Sequence, residues 1–131
     1  MQDRPSAAEL IAAVRGFLER DVVAQLAGRH RFHALVAANV LAVVEREMAH
    51  EEDRLLDEWR RLARLLDVGG DPPPRLELLR RAVRDLDEQL TERIRTGDAD
   101  GGEFAAAVRD HLRATVLEKL RVANPRYLGE S

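Results

Sequence analysis

Three polar side chains interrupt an otherwise apolar stretch between Arg31 and Met48. They are His33, Asn39 and Glu47, and an imidazole, an amide and a carboxylate together can bind a small molecule or move a proton. Asn39 and Glu47 are two helical turns apart, so on a helix they form one polar strip. Two interpretations follow. The three residues line a pocket, or they form a hydrogen-bonded network that fixes helix register, which is the commoner arrangement.

Other spacings that are typical of metal sites are incomplete in this chain. The motif Glu47-x-x-His50 is half of a ferritin-like di-iron ligand set, which needs a second such pair and two further glutamates. His30 and His33 have a spacing that could hold a metal, but His30 falls at the frayed start of a helix. The acidic run that begins at Asp98 lacks the glycine and the glutamate that a calcium loop requires. We therefore expect no metal site and no cofactor.

The chain has no complete set of catalytic residues. It contains no cysteine, and its two serines, Ser6 and Ser131, are both terminal. No phosphate-binding loop, dinucleotide fingerprint or nucleophile elbow is present. We expect a non-catalytic accessory or protein-interaction domain. The alternative is a small-molecule-binding protein or enzyme that uses His33, Asn39 and Glu47.

Composition excludes several classes of protein. The 131 residues carry a formal net charge of −3, so no bulk positive field favours nucleic acid or an anionic membrane surface. The longest apolar run, 35–44, is half of the roughly 20 residues that a membrane helix needs. The first ten residues lack the basic and apolar segments of a secretory signal. We expect a cytoplasmic protein that binds neither nucleic acid nor membrane.

Helical periodicity predicts an all-α fold, a single five-helix bundle over residues 1–131. Leu, Ala, Arg and Glu dominate the chain, whereas aromatic residues are few, and this favours helices over strands. The second helix is apolar on most of its circumference, so we expect it to be central and largely buried. Whether it continues into the third helix stays open at the polar run 49–53. The predicted helices span about 6–27, 31–48, 52–67, 75–96 and 102–123. On the last of these, Phe104, Val108, Leu112, Val116 and Leu120 form the apolar stripe that we expect to face inward.

Two apolar faces can be distinguished on the predicted second helix. One face carries bulky side chains, and the other carries small ones at a spacing of four residues, which would allow a neighbouring backbone to come close. Burial of the bulky face predicts that Val40→Asp would be severely destabilising. The bulky face consists of Phe32, Val36, Val40, Val43 and Val44, and the small face of Ala34, Ala38 and Ala42.

Three segments, taken together in this order, resemble a family of small bacterial helical proteins of unknown function. They are Gln2-Asp3-Arg4-Pro5, the run from Arg31-Phe32-His33-Ala34 through Asn39 to Glu47, and the closing Asn124-Pro125-Arg126-Tyr127-Leu128. The segment Ala49-His50-Glu51-Glu52 departs from the family pattern, which has more Gly and Pro there.

This resemblance implies an accessory role near acyl-CoA metabolism. Relatives are often encoded beside phosphotransferases of the aminoglycoside-phosphotransferase type and beside acyl-CoA dehydrogenases. The partner expected from the resemblance is therefore one of these two enzymes. A homodimer, formed through an apolar helix face, is the other expectation.

Overall fold

The computed structural model describes residues 4–129, and every regular element in that range is helical. Four helices follow one another. Helix α1 is built from Ala7–Phe17, a π-helical turn Leu18–Val22 and the short segment Val23–Gln25, and α2 spans Gly28–Leu65. Helix α3 spans Leu76–Arg95, α4 spans Gly102–Ala123, and a 3-10 turn Pro125–Leu128 follows. Within this range no helix combines the length and the hydropathy that crossing a lipid bilayer requires.

The all-α prediction is confirmed, but there are four helices instead of five. The predicted second and third helices are one continuous helix of 38 residues. The polar run between them, 49–53, contains neither glycine nor proline, and polarity alone does not break a helix. Gln2 and Asp3, which belong to the resemblance above, lie outside the described residues.

The chain divides into two compact units. Unit 1 comprises Met1–His50 and Val122–Asn124, and unit 2 comprises Glu51–Arg121 and Pro125–Ser131. The single-domain assignment over 1–131 stays a prediction.

Unit 1 contains α1 and the N-terminal part of α2. Ser6 caps α1, because its hydroxyl accepts a hydrogen bond from the backbone N–H of Glu9 at 3.2 Å. Arg15 on α1 forms an ion pair with Glu45 on α2, in which Nη2 lies 3.3 Å from Oε1. The Nε of Arg46 donates to the carbonyl of Val122 at 2.7 Å. These contacts fix which side of α2 faces inward in this unit.

The prediction that the second helix is central and largely buried is wrong. Ala34 and Ala38 are buried, on the same side of α2 as Glu45. Most of the bulky face is turned outward: Val40 is 53% exposed, whereas Val43 is half-buried. Small side chains allow α1 to approach closely, whereas the bulky face would hold it away. The sequence showed two apolar faces and contained no signal that ranked them.

Unit 2 contains the main hydrophobic core. Leu62 of α2 and Leu79 of α3 are fully buried at its centre. Helix α2 ends at Leu65, and the N–H of Val68 bonds to the carbonyl of Ala63 at 2.8 Å across the turn that follows. The loop with three prolines then leads to α3, as predicted. The core consists of Leu55, Trp59, Leu62, Ala63, Leu79, Val83, Leu86, Leu90 and Val108.

The buried face of α4 differs from the predicted stripe. We expected the Phe104–Val108–Leu112 series to face inward, but Leu112 is 46% exposed. His111 is buried in its place. A rotation of one residue along the helix, about 100°, exchanges the two side chains. As a result, the titratable side chain of His111 lies in the interior of unit 2.

Truncation of the core should separate buried from exposed leucines. Leu62→Ala is expected to lower the free energy of unfolding by about 2–5 kcal/mol, because it leaves a cavity. Leu78→Ala on α3 is the matched control, since Leu78 is 40% exposed. The control should lose less than about 1 kcal/mol. Urea unfolding followed by circular dichroism measures both values, and equal losses would contradict this description of the core.

Candidate functional site

A stripe of exposed apolar side chains runs along α2 in unit 1. Its members recur every four residues, so they form a row that winds gradually around the helix, and Phe32, Val36 and Val40 lie opposite Ala34 and Ala38. Folded monomers seldom leave such a series open to water unless the surface binds something. We call this set the valine stripe; it consists of Phe32 (63% exposed), Val36 (44%), Val40 (53%), Val44 (36%) and Met48 (42%).

Helix α1 has an exposed apolar face of its own. Leu10, Val14 and Phe17 follow one another at intervals of four and three residues and are each more than half exposed. Gly16, which is buried, lies on the opposite side of the same helix. Unit 1 therefore presents apolar side chains on both of its helices.

The structure places the three residues of the sequence prediction on or near this surface. His33 and Asn39 are exposed, and Glu47 is half-buried. The ring of His33 lies 5.9 Å from that of Phe32. A pocket of about 400 Å³ in unit 1 includes Glu45 and its neighbours but none of the three. A ligand site at His33, Asn39 and Glu47 stays a prediction.

Unit 2 contains a polar network that sequence reasoning missed. Arg61 on α2 forms a bidentate pair with Glu118 on α4, with N–O distances of 2.9 and 3.1 Å. The same guanidinium lies 3.4 Å from the hydroxyl of Thr115 and donates through Nε to Nδ1 of His111, also at 3.4 Å. Acceptance at Nδ1 leaves the ring proton of the neutral imidazole on Nε2.

Beside this network, Glu58, Asp87 and His111 form a cluster contributed by α2, α3 and α4. We call it the carboxylate–histidine cluster. Glu58 is 7% exposed, His111 is 4% exposed and Asp87 is half-buried. Each side chain offers one ligand-type atom, and all three atoms lie within 4.8 Å of one another. This is the only such group within residues 4–129.

Burial disfavours charge on every member of the cluster. Desolvation raises the pKa of Glu58, and the nearby charge of Asp87 raises it further. Desolvation also raises the pKa of Asp87, opposed by His111, by Lys119 and by a hydrogen bond to Glu58. Burial, followed by the charge of Arg61, lowers the pKa of His111. The two carboxyl groups are in hydrogen-bonding contact, and burial disfavours the charged form of both of them and of the imidazole.

An open groove gives access to this region of unit 2. It has a volume of about 500 Å³, and its walls include Arg61, Leu65, Phe104, Ala107 and His111. The guanidinium of Arg93 covers the ring of Phe104 at 4.0 Å from its centroid. His111 thus belongs both to the groove and to the carboxylate–histidine cluster, so a solute in the groove can reach an imidazole that is otherwise buried.

The cluster could not be found from spacing alone. Glu58, Asp87 and His111 are 29 and 24 positions apart, on three helices, and form no local motif. The sequence contained one indication that these residues are buried. Each of them lies close to apolar residues on its helix, and His111 directly precedes Leu112, which we expected to be buried.

The pH dependence of stability should reveal the buried carboxyl pair. Because the folded pKa of Glu58 is raised, its contribution to stability is complete below the unfolded value of about 4.3 and is lost as pH rises through the folded pKa. Glu58→Gln can still donate to Asp87 but has no proton to lose. The decrease in unfolding free energy between pH 5 and pH 8 should therefore shrink in this variant.

Urea unfolding at both pH values measures this difference. His111 acts in the opposite direction, because its lowered pKa removes stability as pH falls below about 6.5. His111 is present in both proteins, and in each of them it opposes the decrease expected from the carboxyl groups. Glu88→Gln, at an exposed glutamate of α3, is the matched control and should change stability by less than about 0.5 kcal/mol. An unchanged profile in Glu58→Gln would contradict the assignment.

Comparison with known proteins identifies the family. Residues 24–127 match a family described as a domain of unknown function, DUF6285. No curated protein and no solved structure matches the chain significantly. The match includes the valine stripe, the Arg61–Glu118 pair and all three members of the carboxylate–histidine cluster. Because it covers well over half of the 131 residues, the chain belongs to the DUF6285 family.

Proposed function

We propose that this protein is a non-catalytic interaction domain that self-associates through the valine stripe. The observation that carries the proposal is the outward orientation of five apolar side chains in one row along α2. The occupant that we assign to this surface is the same surface of a second copy. A two-fold interface brings one patch against itself, so a single apolar stripe is sufficient to build it.

The size of the stripe supports this assignment. The five exposed fractions together are equivalent to more than two fully exposed large side chains in one row. A standard interface buries about 800 Å² per partner, with apolar residues at its centre and polar residues at its rim. The valine stripe thus supplies an apolar centre for such an interface.

The distribution of polar groups supports an antiparallel arrangement. With the two-fold axis at Val40, Val36 of one copy lies opposite Val44 of the other. His33 of one copy then approaches Glu47 of the other, and an imidazole can donate to a carboxylate. A parallel arrangement would bring the two Glu47 carboxylates together, which is unfavourable. Two of the three polar residues singled out in the sequence would then border the interface.

Val40→Asp tests the proposal. At the axis the variant brings two carboxylates together in an apolar interface, so it should convert a dimer to a monomer. Because Val40 is 53% exposed within the chain, the variant should fold as a monomer. Val14→Asp on α1 is the matched control, since Val14 is 52% exposed, and it should remain dimeric.

Sedimentation equilibrium at about 5 and 200 µM measures the mass of each variant, and circular dichroism shows that each is folded. A wild-type protein that is monomeric at both concentrations would overturn the proposal. If Val14→Asp is monomeric and Val40→Asp remains dimeric, the interface must be assigned to α1 and not to the valine stripe.

The accessory role rests on the family resemblance and extends the proposal. The candidate partners are a phosphotransferase of the aminoglycoside-phosphotransferase type and an acyl-CoA dehydrogenase. The exposed face of α1, with Leu10, Val14 and Phe17, is the surface that the valine stripe leaves for such a partner.

Co-elution in size-exclusion chromatography tests this role with each purified enzyme. A complex should survive Val40→Asp, which affects only self-association, and should be lost in Phe17→Asp. Phe17 is 55% exposed, so this substitution should not prevent folding. If neither enzyme co-elutes with the wild-type protein, the accessory role loses its support, while the self-association result stands by itself.

A further inference from the structure

We propose that Glu58, Asp87 and His111 form a binding site for one divalent transition-metal ion of the Zn²⁺ or Mn²⁺ type. The site lies in unit 2 and is independent of the self-association proposed for unit 1. The sequence did not predict this site, because its three ligands lie on three different helices and form no local motif.

The donor set indicates the class of ion. One imidazole nitrogen and two carboxylate oxygens suit borderline first-row ions, and the absence of cysteine removes the thiolate ligands that softer ions prefer. Three protein ligands leave further coordination positions for water or for a solute from the groove beside His111.

The spacing requires only a small adjustment. Donors that bind one ion at about 2.1 Å in a tetrahedral site lie about 3.4 Å apart. The three atoms of the cluster lie within 4.8 Å of one another, so binding must draw them together by roughly 1 Å, which is within the reach of side-chain rotation. The three ligands come from α2, α3 and α4, whose packed core residues hold the helices in place.

Charge balance provides a second argument for a cation. Glu58 is more than nine-tenths buried and contacts Asp87, so two acidic groups share a confined space. The charges of Arg61 and Lys119 act on Glu58, but Arg61 makes its two close contacts with Glu118. A cation held between the three side chains would face the two acidic groups directly.

One contact opposes the ion and defines what binding must change. Arg61 donates to Nδ1 of His111 at 3.4 Å, which is a long hydrogen bond. An ion at Nδ1 displaces this donor, and an ion at Nε2 requires the ring proton to move to Nδ1, where it faces the same donor. Binding therefore breaks the contact between Arg61 and His111. The guanidinium keeps its bidentate partner, Glu118.

Isothermal titration calorimetry of the chelator-treated full-length protein with ZnCl₂ tests the site. We expect one ion per chain, affinity that increases from pH 6 to pH 8, and a proton release that appears as a dependence of the heat on the buffer. Asp87→Asn should weaken binding by about tenfold or more. Because Asp87 is half-buried and asparagine has nearly the same shape, this variant should fold.

Two controls separate the site from surface binding. Asp85→Asn removes an exposed carboxylate from the same helix as Asp87, and His50→Gln removes an exposed histidine. Neither should alter the affinity. Three results would each overturn the site: no heat at about 100 µM Zn²⁺, equal binding by the wild type and Asp87→Asn, or a loss of binding in His50→Gln.

Discussion

The burial of the alanine side of α2 is the constraint on which unit 1 depends. Ala34 and Ala38 leave room for the neighbouring helix, and the Arg15–Glu45 pair lies on the same side. Once the small side chains are covered, the bulky ones must face outward, because a helix cannot bury two opposite faces against one partner. The exposed valine stripe is thus a direct result of how the hairpin packs.

Sequence periodicity predicted most of the fold and failed where two faces competed. The boundaries of α3 and α4 agree with the predicted 75–96 and 102–123 to within a residue, since apolar spacing and flanking glycines or prolines define them. The single helix over 28–65 was left open, because the run 49–53 is polar without containing a helix-breaking residue. The expectation that both the alanine and the valine faces are buried was wrong for the valine face, because burial depends on the packing partner and not on local sequence.

The candidate site was beyond sequence reasoning for a related reason. His33, Asn39 and Glu47 were selected because they are polar residues within an apolar run. A polar residue in such a run is buried only if its own side of the helix is buried, and His33 and Asn39 are exposed. Glu58, Asp87 and His111 belong to ordinary amphipathic helices and become unusual only when three helices come together. The predicted buried face of α4 was wrong by one residue, so Leu112 was expected to be buried where the structure buries His111.

The outward valines also have a consequence for the folding of α2 itself. Valine is a poorer helix former than alanine, by several tenths of a kcal/mol per residue, because the preceding turn restricts its side chain. On a surface that stays open to water, burial does not offset this intrinsic cost. Under the self-association proposed above, formation of the N-terminal part of α2 is thermodynamically linked to dimerisation, so the helical content of this segment should depend on protein concentration.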